Sequence, residues 1–93
     1  MSVPEWQAFR AALRTIPELQ DLVRALATAD PIAHLALGVG LGQTAQGDST
    51  TFLSTWGELL AEGAVPPALA AAVQALAASH HLPAEFVEAL NPA

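Results

Sequence analysis

Three histidines, nine carboxylates and a short Ser/Thr cluster are the residues of this 93-residue chain that could carry chemistry; there is no cysteine. His80, His81 and Glu85 come closest to a metal site, because His81 and Glu85 stand four apart. A zinc site needs about four ligands converging on one point. Adjacent histidines point in different directions, and Pro83 places the next helix start after His81. No metal and no cofactor is therefore expected. His34, alone in an apolar stretch, reads as a partly buried, hydrogen-bonded core residue. Glu58/Glu62 and Glu85/Glu88 each fall on one exposed helix face, where carboxylates serve solubility. General acid–base work needs a carboxyl with a raised pKa in a pocket instead. Helix capping explains Ser49-Thr50-Thr51, since no motif supplies a His or Lys partner.

Gly38-Val39-Gly40-Leu41-Gly42 resembles part of a phosphate loop. Its third glycine is displaced, no strand precedes it and no Lys-Ser/Thr pair follows. The glycines read as close helix packing, with Gly38 and Gly42 on one face. No catalytic constellation emerges, so the chain reads as a non-enzyme. A ligand- or metal-binding module around His80 and His81 is the alternative.

The net charge is −6, and the charged share is only 13%, against ~25% in an average soluble domain. Arg10, Arg14 and Arg24 are the only bases, and Glu5, Glu18 and Asp21 offset them in the same segment. Every charge after Arg24 is acidic. Nucleic-acid binding needs clusters of Lys and Arg to neutralise phosphates, so neither DNA nor RNA is an expected partner. Adsorption to anionic lipid is disfavoured for the same reason. The N-terminus lacks the basic-then-apolar plan of a signal peptide. The longest apolar stretch, Ile32 to Gly42, is too short to cross a bilayer. A cytoplasmic protein with no membrane partner is the expectation. The hydrophobic share is 53%, much of it alanine, which buries little area. A thin core under a charge-poor surface leaves apolar surface for a protein partner or for self-association.

The elements that must position these residues are helices. Within Thr51–Gly63, Phe52, Leu53, Trp56, Leu59 and Leu60 recur at helical spacing. Ser54, Thr55, Glu58, Ala61 and Glu62 form the face assigned to solvent. Asp48 or Ser49 can cap its start and Gly63 can close its end. Upstream, Ser2 and Glu5 make a capping box with Pro4 in the first turn, ahead of the stripe Trp6, Phe9, Leu13 and Ile16. Thr15, Pro17 and Glu18 repeat the device before Leu19, Leu22, Val23 and Leu26. Asp30-Pro31 opens a third helix that runs to about residue 42, despite three glycines that each cost ~1 kcal/mol relative to alanine. A loop over 43–50 follows. Pro66-Pro67 starts an alanine-rich helix over 68–79 with Leu69, Val73 and Leu76 on one face. Pro83 starts a last helix that turns Phe86, Val87 and Leu90 inward. No hairpin signal appears. The expectation is one all-α domain over 1–93, a compact bundle or orthogonal array of five to six short helices.

The aromatics Trp6, Phe9, Phe52, Trp56 and Phe86 are expected to converge in one core, with Trp6 the candidate exception because it lies in the first turn. Candidate interface residues are Trp6, Phe9, Leu37, Val39 and Leu41. The plan of an aromatic start (EWQAF), a helical middle ending in FLSTWGELL and a tail containing HHLPAEF resembles small helical proteins of bacteriophage and prophage tail or baseplate gene clusters. That resemblance implies a virion component or an assembly factor. PELQDLVRAL also resembles the second helix of the leader domain in nitrile-hydratase-like and Nif-type peptide precursors, although no double-glycine cleavage site follows.

Overall fold

Prolines and one aspartate fix most of the helix starts. In the computed structural model, which describes residues 3–91, six helices follow in order: α1 Trp6–Leu13, α2 Pro17–Ala29, α3 Pro31–Thr44, α4 Thr50–Ala61, α5 Pro67–Ser79 and α6 Ala84–Leu90. Pro17, Pro31 and Pro67 each stand in the first turn, where the missing N–H costs nothing. No strand occurs among the described residues. The all-α array read from the sequence is the observed architecture. Its radius of gyration is 12.2 Å, close to the ~12 Å of a compact chain of this length.

Two of the expected caps work differently. The first helix begins at Trp6 behind Glu5, whose side chain makes no cap bond. Pro4 precedes the helix, and Ser2 lies outside the described residues. Thr15 does not open α2. Its hydroxyl donates to the Ala12 carbonyl at 2.7 Å and so closes α1, leaving Ile16 before Pro17 without a side-chain cap. Asp30 does cap: its Oδ1 accepts the Ala33 N–H at 3.2 Å. Replacing Asp30 by alanine should cost ~1 kcal/mol, read as a lower urea midpoint with an unchanged denaturant slope. Asp48 accepts from the Thr50 N–H at 3.2 Å at the entry to α4. Gly63, at φ +75°, ends that helix in the left-handed conformation.

The centre of the fold is the packing of α3 on α4. Helix α3 continues unbroken through its glycines, and Gly40 is the one that matters. A Cβ built there would stand 2.7 Å from the Phe52 backbone nitrogen and 2.8 Å from its Cα. The start of α4 therefore lies directly on the α3 backbone. Gly38 and Gly42, expected as the packing pair, have nothing within 4 Å of their Cβ positions. The face of α4 that meets the core holds Phe52, Trp56 and Leu59, with Thr55 buried beside them instead of facing solvent.

All five aromatics converge as expected. Phe86 makes edge contacts with Trp6 at 5.0 Å and with Phe9 at 5.7 Å, and lies 6.0 Å from Phe52. Phe52 stacks on Trp56 at 5.7 Å. Trp6 is only partly covered, as its place in the first turn suggests. Short α6 is held by two side-chain donors that satisfy its last carbonyls. Trp56 Nε1–H donates to Leu90 O at 2.8 Å, and Gln74 Nε2 donates to Val87 O at 2.9 Å. On α5 the covered face is Leu69, Ala70, Val73 and Ala77, with Leu76 at its margin.

Candidate functional site

Helix α3 carries apolar residues on both of its faces and only one is covered. Leu37, Gly40 and Thr44 are buried against the core. On the opposite side Ile32 is 81% exposed, Leu35 67% and Val39 56%. At 3.6 residues per turn these three fall on one stripe, and Gly38 and Gly42, open to their surroundings, run beside it. A helix that is hydrophobic all round belongs in an interior. No Asp, Glu, Lys or Arg occurs between Pro31 and Thr44. The result is an uncharged aliphatic ridge flanked by a shallow glycine track.

This placement revises the candidate interface. Val39 is on the exposed ridge, and Trp6 and Leu41 are partly covered. Phe9 and Leu37 are 0% and 1% exposed. They are core residues, because Phe9 packs into the aromatic cluster and Leu37 faces inward from α3. Neither can meet a partner without unfolding. Ile32 and Leu35, which sequence reasoning did not single out, take their place. Their signal was available: in a helix opened by Asp30-Pro31, positions 32, 35 and 39 are the side opposite 37, 40 and 44.

The histidines do not assemble into a site. His80 Nδ1 lies 2.8 Å from the Leu76 carbonyl, and the ring sits 6.4 Å from that of Phe9. The backbone N–H of Glu5 donates to the His80 carbonyl at 3.1 Å. His80 thus ties the turn after α5 to the entry of α1. His81 adopts φ 59° to end α5, and its exposed ring is 3.9 Å from Glu5 Oε2. His34 is partly buried as expected but has no side-chain hydrogen bond among the described residues. No group of three or more His, Asp or Glu able to hold a metal ion occurs among the described residues.

A second feature lies where α1 and α2 meet Leu41 of α3. Arg10 of α1, Arg14 just past its end and Arg24 of α2 border one groove floored by Leu13, Leu19 and Val23. Its volume is about 310 Å³. All three of the chain's cations thus meet at a single concavity. Among the described residues the only carboxylate paired with an arginine is Asp21, 3.5 Å from Arg24, with both side chains exposed.

No helix of the described residues is long and apolar enough to cross a membrane. No family model, no curated protein and no solved structure matches the chain.

Proposed function

We propose that this chain is a non-enzymatic interaction module that self-associates through the outer face of α3. The observation that carries this reading is the exposure of Ile32, Leu35 and Val39 on one uncharged stripe. Burying such a stripe is worth ~25 cal/mol per Å² of apolar surface, and a contiguous exposed apolar patch marks a contact surface. A second copy is the occupant with the best match. Both partners of an isologous contact present the same surface, and here that surface has no charge to leave unpaired. Gly38 and Gly42 of one copy give the aliphatic ridge of the other a place to sit. A copy of a −6 chain is repelled everywhere its carboxylates meet, so a charge-free face is where two copies can approach. Such a module suits a larger assembly, in keeping with the resemblance to phage tail and baseplate proteins.

Size-exclusion chromatography with light scattering tests the proposal. The wild-type chain should elute at twice its 9.6 kDa mass. The triple variant Ile32→Ser/Leu35→Ser/Val39→Ser should elute at the single mass with unchanged helicity by circular dichroism. A monomeric wild type at high concentration, or a triple variant that still self-associates, contradicts the reading.

A further inference from the structure

We infer that the groove between α1 and α2 is a binding site for an organic anion with an aliphatic body, a medium-chain carboxylate. Its floor of Leu13, Leu19 and Val23 is apolar, Arg10, Arg14 and Arg24 stand on its border, and no carboxylate lines it. That combination is the complement of a carboxylate head on an alkyl tail. The volume, about 310 Å³, falls at the lower end of the ~300–1,000 Å³ range of small-molecule sites.

A second observation is independent of the shape. Arg10 Nε is out of contact with water and has no hydrogen-bond partner, and no carboxylate of the described residues pairs with Arg10 or Arg14. A guanidinium partly withdrawn from water without a counter-charge is unfavourable. Among the described residues one carboxylate pairs with an arginine, Asp21 with Arg24, and it does not line the groove. An incoming carboxylate would supply the missing charge and accept charge-assisted hydrogen bonds from the guanidinium groups of Arg10 and Arg14, four residues apart at the end of α1. The size of the concavity favours a small molecule over a protein segment. Leu41 of α3 lines the groove, but none of the outer-face residues Ile32, Leu35 or Val39 does, so this site stands or falls separately from the outer face of α3.

Calorimetric titration of the full chain with sodium octanoate, beside octan-1-ol as the uncharged control, decides the matter. Octanoate should saturate one site per chain, and octanol should bind at least ~10-fold more weakly, the effect of losing about 1.4 kcal/mol. Arg10→Gln/Arg14→Gln should weaken octanoate by a similar factor and leave octanol unchanged. Added salt should weaken octanoate alone. Arg14 is exposed, so Arg14→Gln by itself keeps the test valid if the double variant is poorly folded. Failure of octanoate to saturate, equal binding of octanol, or binding indifferent to Arg14→Gln overturns the assignment. So does a groove that ignores octanoate yet takes an acidic amphipathic peptide, which would make it a protein contact.

Discussion

Trp56→Ala is expected to remove most of the stability of the fold. Trp56 is fully buried and stacks on Phe52 at the α3–α4 junction. Truncating a buried aromatic of this size costs ~3–5 kcal/mol through lost transfer energy and the cavity left behind. Its indole N–H also satisfies the Leu90 carbonyl at the end of α6, and an orphaned buried acceptor adds ~1–3 kcal/mol. A domain of this size has a total stability toward the lower end of ~5–15 kcal/mol. Urea unfolding followed by circular dichroism should show Trp56→Ala largely unfolded in buffer. Trp56→Phe keeps the stack and loses the hydrogen bond, so it should fold with an intermediate midpoint. A Trp56→Ala protein within about 1 kcal/mol of wild type would contradict the position given to this side chain.

The second large effect sets two glycines against each other. Gly40→Ala places a methyl group within 3 Å of the Phe52 backbone. Backbone cannot swing aside as a flexible side chain can, so α3 and α4 must part. Overpacking of this kind costs ~1–3 kcal/mol, in spite of the helix propensity that alanine brings. Gly57→Ala, in the middle of α4, meets nothing within 4 Å and should stabilise by up to ~1 kcal/mol. The same chemical change therefore has opposite signs at two sites of one helix pair. Thermal midpoints of the two variants read this directly. Equal shifts, or a Gly40→Ala protein more stable than wild type, would show that α4 does not start against Gly40.

How much of this was legible in the sequence depends on whether the cause was local. The stripe Phe52, Trp56 and Leu59 was readable because helical spacing alone puts those residues on one face. The Asp30 cap was readable because a carboxylate before a proline has little else to do. Thr15 was misassigned because a hydroxyl both donates and accepts, and its donation to Ala12 depends on where α1 stops. Gly40 could not be told from Gly38 and Gly42, since only the approach of Phe52 from another helix distinguishes them. Thr55 and Ala77 are buried by neighbours that no spacing rule names.

The functional surfaces divide in the same way. Excess apolar surface follows from composition, and the sequence pointed to the stretch of α3 as its location. Helical spacing separates 32, 35 and 39 from 37, 40 and 44, but which of the two sides faces out did not follow, because α3 is apolar all round and either side would serve as core. Phe9 and Leu37 fell on the inner side of their helices. The arginine groove was hidden by counting charge along the chain. Glu5, Glu18 and Asp21 balance the arginines in sequence, yet none of the three carboxylates lines the groove.

The role of α3 is tested most directly by cross-linking. The chain has no cysteine of its own, so a thiol introduced at Leu35, Val39 or Gly42 in turn reports only on that position. A disulfide forms where two Cα atoms come within about 7 Å. Two copies packed by their outer α3 faces should yield a covalent dimer under mild oxidation from at least one of the three variants. Glu62→Cys, exposed just past α4, should stay monomeric. Cross-linking from Glu62→Cys as readily as from the α3 positions, or from none of them, would contradict the assignment of α3 as the docking face.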